Sequence, residues 1–211
     1  MAVVTITRQY GAGGHLVGEM VAGRLGYQLV DKDMLHLVAR KANVTLKQVE
    51  ETERQAGNIL TKLIDELVST GSTTRHLPGI STDFDEERYR LFLTRTIKEI
   101  ADRDRAVIIG RGGQYILLHH PKAVRIYLVA EEEDRVRNIM TIYGTARAKA
   151  ESIARQEEKK RLSFLKEFGN LHPESWSLYH LVINTSSVDH NTTVDLITEL
   201  VAAKERSPGE E

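Results

Sequence analysis

The chain contains no cysteine, which excludes disulfides, zinc–thiolate sites and thiol nucleophiles and leads us to expect a reducing, cytoplasmic setting. It has no apolar run approaching the roughly 18 residues of a membrane span. Its first residues, MAVVTITRQYG, read as a strand without a basic leader, so neither membrane association nor secretion is expected. It also lacks an excess of charge: 29 basic against 30 acidic residues leave a formal net charge of −1. No global field recruits nucleic acid or an anionic membrane, and any anion site must be built from locally placed arginines and lysines. The histidines show no H-x-x-x-H or H-E-x-x-H spacing, which removes a metal-hydrolase reading and predicts no protein-built metal cluster. What remains, 211 residues of 41% hydrophobic composition, suffices for one substantial core with an elaboration or two.

Short β-branched runs alternate with helical patterns along the chain. AVVTIT (Ala2 to Thr7) reads as a buried strand and is followed by glycines. Leu16, Val17, Met20, Val21 and Leu25 then recur at helical spacing, with Gly26 placed to end the helix. YQLV predicts a second strand that delivers Asp31 at its carboxyl end, and Asp33 suits the N-cap of the next helix. From Thr45 the apolar positions predict a long amphipathic helix, interrupted by the polar stretch Glu50 to Gly57. Its later face, Ile59, Leu60, Leu63, Ile64, Leu67 and Val68, suits either the core or a homo-oligomer contact. Ser69 to Thr82 has the composition of a loop.

Glu86 to Arg103 reads as a helix with Leu91, Phe92, Ile97 and Ile100 as core candidates. AVIIGRGG repeats the strand-then-glycine theme, AVRIYLVA (Ala123 to Ala130) is another strand, and a helix follows from about Glu132. A charged helical stretch covers Ala146 to Phe168. LVINTSS supplies a last strand before a helix over Thr192 to Lys204, and the terminal RSPGEE should fray. About five such strands separated by helices predict a doubly wound parallel α/β fold with helices on both faces. Ligands of such folds sit at the carboxyl ends of the strands, where the first glycine loop, Asp31, GRGG and NTSS should gather.

The loop RQYGAGGHLVG, residues 8 to 18, admits three readings. A glycine turn feeding a helix N-terminus aims backbone amides and the helix dipole at one point, which suits phosphate. The pattern G-x-x-x-x-G-K-[ST] is not met, because Arg8 stands at its first glycine, Gly14 at its lysine and His15 at its hydroxyl. A dinucleotide turn is met by Gly11, Gly13 and Asp31 but has Leu16 at its third glycine. The third reading is a plain tight turn whose glycines are steric.

Four stretches, TITRQYGAGGHLVGEMVAGRLGYQLVDKDML, AVIIGRGGQYIL, VRIYLVAEEEDRVRNI and YHLVINTSSVDHNTTVDLI, in this order and spacing resemble the cytidylate kinase-like family of P-loop nucleoside monophosphate kinases. The resemblance runs from Val3 to about Leu200 and is weakest between Lys47 and Asp85. It implies a single kinase-like domain: a core of residues 1–44, 86–143 and 171–205, a helical monophosphate-binding-type insertion at 45–85, a helical lid at 144–170 and a frayed tail at 206–211. It further implies transfer of the γ-phosphoryl of ATP, with Mg2+, to a nucleoside monophosphate, CMP or dCMP by family.

Carried over by position, Gly11, Ala12, Gly13, Gly14 and His15 would surround the ATP phosphates, and Asn184 and Thr185 would lie near the adenine. Asp31 and Lys32 would stand at the monophosphate entrance, and Arg111 would grip the acceptor phosphate. Arg135 would face phosphate, and Glu158, Lys159 and Arg161 would be the acid and cations of the lid. The chain departs from the family's kinases in lacking the loop lysine, the loop hydroxyl and both aspartates of a D-G-R-D turn, here Ile109-Gly110-Arg111-Gly112.

Arginines can supply the missing charge, and Arg8, at the end of the first strand, is the leading candidate among Arg8, His15, Arg111, Arg135, Lys159 and Arg161. Magnesium would then rely on Asp31, Asp33 or water. Structural roles stand beside these: Arg135 pairing with Glu131 or Glu132 for about 0.3 kcal/mol, Lys159 to Arg161 as a solvated face, Asp31 bonding a turn, His15 at the surface. Three functions are therefore carried forward: a nucleotide-dependent kinase, a nucleotide sensor that does not transfer phosphate, and a dinucleotide oxidoreductase.

Overall fold

The β-branched runs form one parallel sheet in the computed structural model. Its strands are β1 (Val3–Arg8), β2 (Gln28–Val30), β3 (Ala106–Ile109), β4 (Ala123–Val129) and β5 (Leu181–Asn184), in the order β2-β3-β1-β4-β5. The structure describes residues 1–31, 33–56, 86–168, 172 and 174–206. The expectations for Lys32, for the apolar face of Ile59 to Val68, for the loop Ser69 to Thr82 and for the tail beyond Arg206 lie outside them.

β1 is central, pairing Val3 with both Ala106 and Ala123 and Ile6 with Ile109 and Ile126. Such a strand is covered on both faces, which is why it reads as a continuous apolar run. Side chains alternate between the faces. Val4, Ile6, Val107, Ile109 and Ile126 pack with Val17 and Val21 of α1 (Gly14–Leu25) and with Val194, Ile197 and Val201 of the last helix (His190–Arg206). Val3, Ala106 and Ile108 pack on the other side with Met34 and Val38 of α2 (Asp33–Ala42), Val49 of α3 (Leu46–Ala56) and Tyr89, Leu93 and Ile97 of α4 (Glu86–Asp102). A short α5 (Gly113–Ile116) leads toward β4, and α6 (Glu132–Tyr143) and α7 (Arg147–Lys166) form a hairpin closed by Val136, Ile139, Ala150 and Ala154. The last helix is α8.

Four expectations need correction. The polar stretch from Glu50 does not break α3, which continues to Ala56. Val49 and Thr52 supply the buried stripe, and a helix needs no more than a stripe. That helix starts with a capping box: Thr45 Oγ1 accepts from the Gln48 amide at 3.2 Å and Gln48 Oε1 accepts from the Thr45 amide at 2.9 Å. Leu91 is 46% exposed, because the buried phase of α4 is set by Tyr89, Leu93 and Ile97. Leu16 is exposed to the same extent, on the outer side of α1. The helix expected after an Asp33 cap takes in Asp33 itself.

The strand order puts β3 between β1 and β2. The dinucleotide fold has β1 beside β2, so the topology removes the basis for reading Asp31 as a ribose-binding acid. Ile126 lies fully buried at the sheet centre. Ile126→Ala is expected to cost about 2–5 kcal/mol, seen as a lower urea midpoint with an unchanged slope; an unshifted midpoint would place the core elsewhere.

Candidate functional site

The carboxyl ends of β1, β2 and β3 open into one cleft of about 360 Å³, lined by Thr7, Arg8, Tyr10, Asp31, Glu50, Glu53, Gly110, Arg111, Glu157, Lys160, Arg161 and Phe164 among others. The glycine loop follows β1 beside this cleft, and Arg8 and Tyr10 of that stretch line it. Gly11 and Gly13 hold φ of 90° and 77°, a left-handed backbone that only glycine adopts at little cost. The loop is clamped from several elements. The Asn138 amide of α6 donates to the Gly11 carbonyl at 2.9 Å, and the Thr185 hydroxyl donates to the Ala12 carbonyl at 3.2 Å. A Cβ on Gly11 would stand 2.7 Å from the Arg135 carbonyl, and one on Gly13 would stand 2.9 Å from His190 Nε2. Among the described residues, the amides of Gly11, Gly13, Gly14 and His15 donate to nothing. Four unsatisfied donors at a helix start suit an anion with several oxygens.

Arg8 packs directly against this loop. Its stem crosses Gly14, where a Cβ would lie 2.6 Å from Arg8 Cγ, and its guanidinium rests on Gly110, where a Cβ would overlap Nη1. Among the described residues that guanidinium makes no hydrogen bond or ion pair. Burial lowers its pKa, Asp31 opposes the shift, and Arg111 and Arg161 add to it. Arg111 follows on the turn after β3, where Gly110, Arg111 and Gly112 hold φ of 70°, 54° and 73°. Its Nη1 is ion-paired to Glu53 of α3 and lies 3.5 Å from the Tyr89 hydroxyl, which donates to Glu53 at 3.0 Å. Burial works against the Arg111 charge, but Glu53, Tyr89 and Asp31 together raise its pKa.

α7 supplies the opposite wall. Arg161 donates to Glu158 from Nε at 3.0 Å and from Nη2, and its guanidinium carbon lies 5.8 Å from the Tyr127 ring centroid. The other Glu158 oxygen accepts from the Tyr10 amide at 2.9 Å, tying α7 to the loop. Lys159 is exposed and does not line the cleft. The lysine that does is Lys160, paired with Glu157 at 2.8 Å. The phase of the helix decides this: Glu157, Lys160, Arg161 and Phe164 share one face at three- and four-residue spacing.

Arg135 forms no ion pair among the described residues, and neither Glu131 nor Glu132 engages it. Three guanidinium nitrogens, Arg111 Nε, Arg135 Nε and Arg161 Nη1, are buried without a hydrogen-bond partner. Buried orphan donors are rare and point to a missing acceptor. Asp31 accepts from His15 Nδ1 at 2.9 Å, and His15 Nε2 lies 3.2 Å from Glu19. His15 is therefore more than half exposed at the edge and turned toward carboxylates. Asn184 organises its own turn, accepting from the Ser186 amide at 3.0 Å, while Thr185 is committed to the loop.

Sequence reasoning missed Glu53, Tyr89, Asn138, Lys160 and His190. Glu50 and Glu53 one helical turn apart, and the phase of α7, carried a signal. Asn138 and His190 carried none, since their role rests on which helices meet the loop.

A parallel sheet with a glycine loop after its central strand and arginines converging beyond it defines a P-loop kinase-like protein. A model of the cytidylate kinase-like family matches residues 3–187, and the chain belongs to that family. It is 24% identical over 207 residues to a cytidylate kinase of Archaeoglobus fulgidus, covering 95% of each chain. Among solved structures it resembles an uncharacterized protein of Eubacterium ventriosum (TM-score 0.69, 19% identity, 96% of this chain and 98% of that one). It also resembles a shikimate kinase of Bacteroides thetaiotaomicron (TM-score 0.54, 14% identity, 95% and 98%). At these identities the structures bear on the fold alone.

Gly110→Ala is expected to lose about 1–2 kcal/mol from the left-handed backbone and to weaken phosphate-ligand binding by displacing Arg8. Gly23→Ala, where a Cβ meets open space, serves as the control and should leave ligand binding unchanged in the same titration. Equal affinities for the two variants would separate Arg8 from the ligand.

Proposed function

We propose that the protein is a cytidylate kinase-like phosphotransferase that moves the γ-phosphoryl of ATP to a nucleoside monophosphate, with CMP or dCMP the acceptors expected from its family. The observation that carries this reading is the exchange of Arg8 for the loop lysine. Arg8 Cγ fills the space where a side chain on Gly14 would begin, since a Cβ there would stand 2.6 Å away. A lysine at position 14 and the present path of Arg8 exclude each other. The cation has moved from the first turn of α1 to the end of β1 and still faces the cleft.

In the proposed reaction an acceptor phosphate oxygen attacks the γ-phosphorus and the bond to the β–γ bridging oxygen breaks, leaving ADP and the acceptor diphosphate. Little covalent chemistry falls to the protein, and its task is positioning and charge. The free amides of the loop hold the donor phosphates, and Arg8, Lys160 and Arg161 surround the group in transit. Arg111 holds the acceptor phosphate, and Arg135 supports the loop from α6. Burial lowers the Arg8 pKa, yet a guanidinium stays charged at neutral pH.

Mg2+ takes one or two carboxylates and otherwise phosphate oxygens and water. Among the described residues no cluster of three or more ligating side chains exists, but Asp31 lines the cleft with one oxygen on His15. That fits a single-carboxylate site, with Asp31 as the residue that would hold the ion. When bound, the ion supplies charge neutralisation between the phosphates. In this reading α7 belongs to the lid of residues 144–170 and α3 to the insertion of residues 45–85. Asn184, by its place at the end of β5, lies toward the donor base.

A coupled ADP-release assay over a panel of nucleoside monophosphates tests the reading. Turnover with CMP or dCMP is expected, and tight binding of ATP and CMP without turnover on any acceptor would make the protein a sensor instead. Arg8→Ala should lower kcat by about 10²–10³, the range for losing one preorganised charge donor. Gly14→Lys alone should inactivate by collision with Arg8, whereas Gly14→Lys combined with Arg8→Gly should recover part of the rate. Full activity of Arg8→Ala would sink the exchange.

A further inference from the structure

The pairing of Glu53 and Tyr89 with Arg111 is not explained by the loop or by α7. Glu53 comes from α3 and Tyr89 from α4, and both reach the turn after β3. Arg111 presents two edges. Nη1 lies on one and is taken by Glu53. Nε and Nη2 lie together on the other, the edge that forms two parallel hydrogen bonds to a phosphate or carboxylate. Nε is buried and has no partner. Glu53 therefore takes Nη1 and leaves the Nε/Nη2 edge without a hydrogen-bond partner among the described residues.

The pair is mostly buried, with 15% of the Arg111 side chain and 28% of the Glu53 side chain exposed. Removing one member of such a pair leaves the other charge uncompensated and free to reorient. The backbone adds a second constraint. Arg111 holds a left-handed φ of 54° between two left-handed glycines, so its side chain leaves the turn in a direction that the glycines impose. Tyr89 braces the carboxylate: its hydroxyl donates to Glu53 at 3.0 Å, its ring is fully buried, and that ring packs on Phe164 of α7 at 6.4 Å between centroids.

We infer that Glu53 and Tyr89 are positioning residues that fix the Nε/Nη2 fork of Arg111 for the phosphate monoester of the acceptor. They act through Arg111 and do not touch the acceptor. The inference rests on the proposed transferase reading for the identity of the acceptor. Its geometry, however, requires only a phosphomonoester. It also gives α3 a role in the reaction: this helix sets the acceptor cation from outside the sheet.

The test is a double-mutant cycle on the full chain with Glu53→Gln, Arg111→Lys and both together, following KM for CMP and for ATP separately. Glu53→Gln should raise the CMP KM about tenfold with the ATP KM unchanged, in keeping with loss of a charge-assisted pair. The double variant should be no worse than Arg111→Lys alone. A Glu53→Gln KM within about twofold of the parent, or losses that multiply in the double variant, overturns the positioning role, the latter by pointing to direct contact with the acceptor. Tyr89→Phe keeps the buried ring and should shift the CMP KM in the same direction by a smaller factor; it decides the matter if Glu53→Gln does not fold, an unshifted KM overturning the role.

If the parent transfers phosphate to no acceptor, the transferase reading fails and the same cycle is followed by calorimetric titration of CMP alone. Weaker CMP binding by Glu53→Gln, absorbed in the double variant, upholds the positioning role by itself. A parent that binds no CMP overturns both.

Discussion

Arg8 runs from the last position of β1 across the first residue of α1 to the turn after β3, and hydrogen atoms on Gly14 and Gly110 border it at both ends. That path links β1, α1 and the turn after β3. It requires glycine where P-loop kinases carry a lysine, and glycine again where β3 turns toward Arg111. A long cation threaded between backbones in this way keeps one conformation, and it does so without an ion pair of its own among the described residues. Its cost is desolvation, visible as a lowered pKa, with the carboxylate of Asp31 as the main compensation.

The remaining charges of the cleft are arranged around this one unpaired cation. Glu53 compensates Arg111, Glu157 compensates Lys160 and Glu158 compensates Arg161. Each carboxylate takes one part of its partner and leaves donors over, which is why Arg111 Nε and Arg161 Nη1 are buried and unmatched. A site built this way tolerates the absence of a ligand, because among the described residues every cation lining the cleft but Arg8 has a carboxylate partner, yet it presents a net surplus of donors to an oxyanion. The overall charge of −1 gives no help from a distance. Selectivity for phosphate must therefore come from short-range geometry, with little long-range steering.

Two helices outside the sheet complete the site, and they are tied to it differently. α3 reaches Arg111 through the partly buried carboxylate of Glu53. α7 is held by Glu158 on the Tyr10 amide and by the tilted ring contacts of Tyr89, Phe164 and Phe168, with Phe168 also packed over Gly112. The aromatic contacts put α4, α7 and the arginine turn in one packed unit. Movement of α7 would thus be felt at Tyr89 and, through Glu53, at Arg111. Hinge-like closure in such folds changes a few contacts of this kind while the sheet stays rigid.

The strands, most of the helices and the parallel α/β architecture were legible in the sequence, because burial on both faces leaves continuous β-branched runs and amphipathic helices leave a 3.6-residue period. The loop was legible too, since left-handed turns demand glycine at Gly11 and Gly13 whatever surrounds them. So was the placement of Arg8 at the end of β1 and of Arg111 just past β3, which are local facts. Local rules misjudged α3, whose polar surface hid a narrow buried stripe, and Leu91, which lies off the buried phase of α4. The sequence by itself determined which segments become strands, where the chain turns and which end of the sheet carries the cleft. Only the tertiary structure decided that Lys160 and not Lys159 faces the cleft, that Glu53 and Tyr89 hold Arg111, and that Arg8 excludes a side chain at position 14. Those outcomes depend on which elements meet at the cleft, and a helix phase or a residue spacing narrows them without fixing them.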